Sequence, residues 1–257
     1  MNTILEKIAN AKALDFGTIF SESIELYKKA WLQGFLMQLF ILLILMPIII
    51  VAYIPFIGVI IAQQQNGFED NQAMENFISG MSIPYIIFVL VGVVVLGTIA
   101  VAINAGFYRI LKKVDQNETV ETKDFFFFVK SAYLTKVFLI MLVSILIAVP
   151  SALLCYLPLI YTMVPLTYFS LIFAFNPELS VGQIVSLSFK LGNKKWLISF
   201  GLIFVSSICI VTLSMLTCGL GSLFLQSFQL IPMYLIYKNV IGFNGGDVID
   251  EIGAPIE

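Results

Sequence analysis

Histidine is absent from the 257-residue sequence. Because imidazole is the commonest general acid–base group and a common metal ligand, its absence excludes Ser/His/Asp and Cys/His catalytic sets. Only three cysteines occur, Cys155, Cys209 and Cys218, and none belongs to a CxxC motif. No glycine-rich loop followed by Lys-Ser or Lys-Thr is present to bind a nucleotide phosphate. We therefore predict a protein that is not an enzyme and that binds no metal or cofactor.

Charged residues are also scarce. They make up 12% of the chain, against about 25% in soluble globular proteins. Hydrophobic residues reach 60%, and the mean hydropathy is +0.99. A chain of this composition is solvated by lipid, so we expect membrane lipids, and other membrane proteins, as partners. The net charge of −2 gives no reason to expect a nucleic-acid partner.

Six apolar segments account for most of the chain. A bilayer-spanning helix needs about 20 predominantly apolar residues, and the sequence offers such segments at 31–54, 83–108, 137–154, 156–175, 196–217 and 222–237. Pro47 and Pro55 predict a kinked first span that ends in a re-entry around Pro55. The predicted fold is all-α: a polytopic transmembrane bundle of six helices over residues 1–241, followed by a flexible acidic tail at 242–257.

Amphipathic segments precede some of these spans. Between Leu14 and Trp31, apolar residues recur at three- and four-residue steps, which indicates an interfacial helix or a short helix packed on the adjacent loops. Ser180 is a suitable N-cap for a second such helix at 181–195. The run from Phe125 to Phe128 cannot place all four rings on one side of a helix, so part of it is expected to enter the membrane interface.

The basic residues fall in few places. All 14 Lys and Arg residues lie in 1–30, 109–136 and 190–195, or at Lys238. The positive-inside rule then places both termini on the cytoplasmic side of the cell (inner) membrane, in a multi-pass arrangement. Residues at the span entries are predicted to anchor the protein at the cytoplasmic interface: Lys28, Lys29, Trp31, Lys136, Lys194, Lys195 and Trp196.

Three stretches share one pattern: 21–40, 127–146 and 185–205 each carry an apolar stripe, then lysine, then an entry into a span. A threefold repeat explains this pattern. A Lys and Trp belt, which many spans carry at the membrane surface, explains it equally well.

The chain also resembles a known group. The stretch SLSFKLGNKKWLISFGLIFV, the turn Gly219-Leu220-Gly221 and the ending QLIPMYLIYKNV are similar to those of bacterial six-span integral membrane proteins of unknown function. That group includes the membrane domain fused to some glycerophosphodiester phosphodiesterases. The resemblance implies a six-span membrane architecture. It implies no catalytic residue, because the activity of the fused proteins belongs to a separate soluble barrel.

Polar residues inside the predicted spans are few, and none is charged, which disfavours a proton-coupled transporter. Asn104, Gln226 and Gln229 are interpreted either as a polar patch lining a small cavity or as interhelical hydrogen-bonding groups. Outside the spans, the acidic loop at 63–82 is interpreted as solvated, with a cation site as the alternative. A disulfide between Cys155 and Cys218 is a further hypothesis.

Two functions remain open from the sequence. The first is a non-enzymatic envelope or membrane-assembly factor that acts through lipid or protein contacts. The second is a transporter or channel component for a small neutral or lipophilic solute, in which proline-broken spans supply free backbone groups.

Overall fold

The computed structural model describes residues 2–66, 82–154 and 156–243, and every regular element in these ranges is helical. The α-helices are α1 Asn2–Ala9, α2 Phe16–Asn66, α3 Ile83–Asp115, α4 Thr122–Phe125, α5 Ser131–Leu153, α6 Leu157–Phe175, α7 Val181–Lys194, α8 Trp196–Leu216, α9 Gly221–Leu225 and α10 Leu230–Val240. Two 3₁₀ turns occur, at Phe127–Val129 and Gln226–Gln229. The all-α prediction is confirmed for the described part of the chain.

Five helices are long and apolar enough to cross a membrane: Phe16–Ile61, Ile83–Asp115, Ser131–Leu153, Leu157–Phe175 and Trp196–Leu216. The predicted sixth span at 222–237 is instead interrupted by the Gln226–Gln229 turn. Pro232 contributes to this break, because it lacks the N–H that would donate to the Phe228 carbonyl in a continuous helix. α10 alone rises about 16 Å, roughly half of a bilayer core. The described helices indicate a multi-pass membrane protein, and the count of six spans is not confirmed.

The first long helix, α2, has 51 residues and differs from the sequence prediction. The amphipathic lead-in and the first span form one continuous helix, α2, and the chain does not turn at Pro55. Asp15 caps its start, since the carboxylate accepts the backbone N–H of Thr18 at 2.7 Å. This hydrogen bond, joined by one from the Thr18 hydroxyl, lowers the pKa of Asp15.

A neighbouring side chain satisfies the carbonyl that Pro55 frees in α2. The proline has no N–H to donate to the carbonyl of Val51, one turn earlier. The Tyr85 hydroxyl on α3 donates to that carbonyl at 3.1 Å and lies 3.2 Å from the Ala52 carbonyl. Satisfying the freed acceptor lets an apolar helix continue through proline.

A side-chain donor also satisfies a proline-freed carbonyl in α6, and this contact constrains where α6 lies relative to α8. Pro165 frees the Tyr161 carbonyl, which accepts the Trp196 indole N–H at 3.1 Å. About 21 Å of helix separates Tyr161 from Phe175 at the end of α6. Trp196, the first residue of α8, therefore contacts α6 about 21 Å from Phe175. If both helices cross the membrane with Trp196 and Phe175 at the same surface, α6 must be inclined to the membrane normal.

α7 connects the end of α6 to the start of α8. Ser180 is its N-cap, as predicted: its hydroxyl accepts the Gln183 N–H at 3.3 Å, and the Gln183 side chain accepts the Ser180 N–H at 2.9 Å. The helix then packs along α6, where Gly192 lies against Pro165 so closely that a Cβ would be 2.9 Å from its Cα. The N-cap prediction is confirmed.

The phenylalanine run packs inside the protein. α4 and the following 3₁₀ turn bury Phe125 and Phe128 in the core, whereas Phe126 and Phe127 are half-buried. Gly106 of α3 makes room, because a Cβ there would lie 2.7 Å from the Phe125 carbonyl oxygen. Two of the four rings are therefore core residues.

Lysine contacts join basic segments that are distant in sequence. Four ammonium groups take part: Lys7 to the Ile241 carbonyl (2.8 Å), Lys136 to the Pro177 carbonyl (2.6 Å), Lys195 to the Lys12 carbonyl, and Lys238 to the Asp115 carboxylate (2.6 Å). We call the region where the ends of α3, α6 and α10 meet α1 and the first turns of α2 the basic end. The Lys195 contact lies apart from it, at the start of α8, which contacts α6 about 21 Å from Phe175.

Three sequence predictions fall on residues outside the described ranges. They concern the acidic loop with Glu69, Asp70 and Glu75, the tail from 244 onwards, and Cys155. The disulfide between Cys155 and Cys218 therefore stays a prediction.

Candidate functional site

A polar cavity of about 410 Å³ lies where the interrupted segment of α9 and α10 meets α2, α3 and α6. α2, α3, α6 and the 3₁₀ turn each contribute a polar side chain to its wall. Besides the phenol of Tyr108, the polar lining consists of Gln38, Asn104, Thr167, Ser170, Gln226 and Gln229. The break between α9 and α10 positions two of them, since Gln226 and Gln229 form the ends of the 3₁₀ turn.

The three residues predicted as a polar patch line this cavity together. Asn104 approaches from α3, and Gln226 and Gln229 approach from the 3₁₀ turn. The Gln229 side-chain Nε2 also donates to the Ser207 hydroxyl of α8 at 3.2 Å. The Gln226 side-chain Nε2 lies 3.4 Å from the side-chain Oε1 of Gln229. Gln229 therefore serves both interpretations, because it lines the cavity and also makes an interhelical hydrogen bond.

Sequence reasoning missed half of the polar lining. Gln38 carried a signal, since it is a carboxamide inside a predicted span. Thr167 and Ser170 carried none, because hydroxyls in apolar helices usually bond to the preceding turn. Thr167 does so, with its hydroxyl 2.7 Å from the Val164 carbonyl, and still faces the cavity.

The chemistry of this wall is neutral. Carboxamides and hydroxyls both donate and accept hydrogen bonds, and no charged side chain lines the cavity. In the described part of the chain, no group of three His, Cys, Asp or Glu residues is placed to hold a metal ion. The cavity suits an uncharged group with several hydroxyls or amides.

The predicted interface anchors divide into two classes. Lys28, Lys29, Trp31 and Lys194 are exposed and accessible to headgroups. Lys28 pairs with Glu25 at 2.6 Å, although both side chains are largely solvated, so the pair adds little stability.

The other three anchors bond to backbone carbonyls of the protein. The Lys136 and Trp196 side chains are half-buried and cap carbonyls of Pro177 and Tyr161. Lys195 is 6% exposed and donates to the Lys12 carbonyl. Burial lowers the pKa of the Lys195 ammonium, and the neighbouring charge of Lys194 adds to the effect. Lys195 therefore departs from the prediction, since it ties α8 to the N-terminal segment and faces no lipid.

No protein family, curated protein or solved structure matches the chain. Its function has to be argued from its own residues.

Proposed function

We propose that the protein is a non-enzymatic integral membrane protein of a bacterial cytoplasmic membrane. In this proposal it acts as an envelope or membrane-assembly factor through contacts with lipids or other membrane proteins. Six helical segments, paired as three hairpins that arise from a threefold repeat, cross the membrane with both termini in the cytoplasm.

The gathering of the basic segments supports this threading. Since three of the lysine contacts join α1, the start of α5 and the ends of α3, α6 and α10, a single membrane surface can accommodate the positive charge of these segments. The inclination of α6 is part of the proposal, because Trp196 and Tyr161 are in contact. Labelling Lys28→Cys, with Cys155, Cys209 and Cys218 replaced by serine, with an impermeant thiol reagent in intact cells tests it: reaction from outside contradicts the threading.

One observation carries the functional proposal. The far halves of α2 and α3, residues 41–61 and 83–96, form a hairpin whose large apolar side chains are mostly exposed. We call it the open hairpin. Tyr53, Ile54, Phe88 and Leu90 are each 58–59% exposed there. An apolar surface of this extent is covered by lipid or by a partner protein.

The experiment separates lipid from protein cover. Leu90→Trp keeps the hairpin apolar, so a fluid lipid surface tolerates it, whereas a complementary protein interface does not. Leu146→Trp is the matched control, because Leu146 is 63% exposed on α5. Gentle extraction followed by native mass spectrometry is expected to show a bound chain, or bound lipid, with the wild type.

Loss of a bound chain in Leu90→Trp alone identifies a protein partner on the open hairpin. Retention in both variants assigns the hairpin to lipid. A protein that carries neither a partner nor retained lipid, and that moves solute in liposomes, contradicts the proposal.

The polar cavity favours a second candidate, a transporter or channel component for a small neutral solute. Its neutral lining and the exposed Gln226 give such a solute hydrogen-bonding partners and access. Two of the proline-freed carbonyls do not support it, since Tyr85 and Trp196 already occupy them. Glycerol uptake by proteoliposomes, abolished in Asn104→Leu, is the result that would replace the first proposal with this one.

A further inference from the structure

A second cavity, of about 290 Å³, lies at the basic end between the ends of α3 and α6. Its character differs from that of the polar cavity, because three cationic side chains line it: Arg109, Lys112 and Lys113. Glu118 is the acidic residue in its lining, so the lining carries an excess of positive charge. Phe175 and Phe243 form an aromatic wall, with their ring centroids 4.8 Å apart.

Helix geometry concentrates these charges. Arg109, Lys112, Lys113 and Gln116 occupy positions i, i+3, i+4 and i+7 of one α-helix and its C-cap, and such positions share one face. The end of α6 packs opposite that face. The donors therefore converge on one cavity.

Two of the three cations pair with no carboxylate in the part of the chain that the structure describes. Lys113 binds Asp124 at 2.8 Å, whereas Arg109 and Lys112 take part in none of the ion pairs found in the described residues. The Arg109 guanidinium carbon lies 3.9 Å from the centroid of the Phe127 ring, and the Lys112 ammonium lies 4.6 Å from that of Phe243. Stacking uses the face of a guanidinium and leaves its N–H edge free to donate.

Helix capping accounts for only part of this cluster. Cations in the last turn stabilise a helix by interacting with its dipole, and Lys112 and Lys113 lie there. The effect falls off within one turn. Arg109 lies before the last turn, so the dipole does not explain its position.

A neighbouring cavity has a lining in which acidic side chains offset the basic ones. It lies beside α2 and α10, and Lys29 and Lys238 share it with Glu22, Glu25 and Asp115. The acidic side chains there neutralise the basic ones. The excess of positive charge is thus a property of the Arg109 cavity and not of the whole basic end.

We propose that the Arg109 cavity binds a phosphate group, as carried by the headgroup of an anionic phospholipid. The proposal rests on the proposed membrane function, since it places the end of α3 at headgroup level. A cavity near the lower size limit of small-molecule sites, about 300 Å³, takes a headgroup while acyl chains stay outside. Arg109 provides paired donors that match phosphate oxygens, and Lys112 provides a mobile point charge.

The test compares charge variants of the full chain in lipid nanodiscs. One set contains phosphatidylcholine alone, and the other contains phosphatidylglycerol at a fixed fraction. Native mass spectrometry after release counts retained anionic lipid. Lys112→Gln is expected to weaken retention about fivefold, the effect of one interfacial charge. Arg109→Lys keeps the charge, loses the paired donors and is also expected to weaken it.

The control removes a charge elsewhere at the basic end. Lys123→Gln takes away an exposed lysine of α4 that pairs with Glu121 and is expected to leave retention unchanged. Equal loss in Lys123→Gln and Lys112→Gln overturns the proposal, because it shows general surface attraction. Wild-type retention in both Lys112→Gln and Arg109→Lys also overturns it.

A further arm separates the source of the phosphate. Glycerol phosphate is titrated into the detergent-purified protein by calorimetry. Binding that depends on Lys112 supports the phosphate site and, if the nanodiscs show no retention, assigns it to a soluble ester. Absence of both signals overturns the proposal. Vesicle flotation of each variant reports membrane insertion separately, so failure of the cavity is distinguishable from failure of the proposed function.

Discussion

The two halves of α3 lie in opposite surroundings. Near its start, Ile87 and Phe88 are more than half exposed, whereas Ile103 and Phe107 near its end are fully buried. Hydrophobicity does not explain the difference, because the buried half carries Arg109, Lys112 and Lys113 and the exposed half carries no charged residue. The difference is in the neighbours, since α4, α6 and α10 contact the second half of α3, whereas the described contacts of the open hairpin join its first half to α2 at Ile48 and Val51.

This contrast shows what holds the protein together in lipid. Apolar side chains gain little by leaving lipid for a protein interior, so helix association there depends on close packing and hydrogen bonds. The basic end has both, for example Gly106 against Phe125 and the 2.6 Å contact between Tyr168 and Ser199. The open hairpin has one polar tie, from Tyr85, among its described contacts.

The largest difference is expected from matched isoleucines of α3. Ile103→Ala leaves a cavity in the packed half and should cost about 2 to 4 kcal/mol of unfolding free energy. Ile87→Ala removes an exposed side chain and should change it by less than about 0.5 kcal/mol. Thermal unfolding in a mild detergent measures both. Equal destabilisation contradicts the contrast and indicates that a neighbour covers the hairpin.

The next largest difference between the basic end and the open hairpin is expected from substituting one glycine in each by alanine. Gly106→Ala places a methyl group 2.7 Å from the Phe125 carbonyl oxygen, a backbone atom that cannot rotate away. We expect destabilisation of about 1 to 3 kcal/mol. Gly58→Ala in the open hairpin meets nothing within 4 Å, so the same measurement should find no loss and a gain of up to about 1 kcal/mol, because alanine is the better helix former. A neutral Gly106→Ala would show that α4 does not pack against α3 in this way.

Asp124 provides a pH-dependent test of the basic end. Burial alone would raise the pKa of this carboxyl, but hydrogen bonds from Lys113 and from the Glu121 backbone outweigh it and lower the pKa. A lowered folded pKa gives stability that is present above about pH 4 and lost as pH falls through the folded value. Asp124→Asn should cost about 1 kcal/mol at pH 7.

The gap between wild type and Asp124→Asn should then close as unfolding is measured at decreasing pH below about 4. Glu25→Gln is the control, because the pair between Glu25 and Lys28 is largely solvated. It should leave stability unchanged at every pH. A gap that persists at low pH assigns the effect of Asp124→Asn to packing.

Much of this arrangement is predictable from the sequence, for local reasons. Apolar length identified the five long helices, and Ser180 with Gln183 identified the start of α7. The charge placement predicts that the basic segments share one side of the membrane, and this stays a prediction. In the site, the three carboxamides of the predicted patch could be named because such groups are rare in apolar helices.

The rest depends on contacts between distant residues. The sequence around Pro55 predicts a turn, and the Tyr85 hydroxyl that satisfies the freed Val51 carbonyl comes from another helix. Lys195 has the sequence context of a surface anchor, and its burial follows from the position of Lys12. The 3₁₀ turn of the interrupted sixth segment packs against α2, where Ser227 lies beside Gly34.

The smallest expected effect concerns the single polar tie of the open hairpin. Tyr85→Phe removes the hydroxyl that satisfies the carbonyl freed by Pro55, with little change in shape. Interhelical hydrogen bonds in membranes average about 0.6 kcal/mol, and we expect a loss of that order. The hairpin should also splay, which increases the distance between spin labels at Tyr53→Cys and Ile87→Cys. Tyr53→Phe, measured with labels at Val51→Cys and Ile87→Cys, is the control, because Tyr53 is 58% exposed. If Tyr85→Phe leaves both stability and distance unchanged, the lipid or protein partner that covers the open hairpin holds its two helices together. The open hairpin would then differ from the basic end in what binds to its surface and not in how its helices pack.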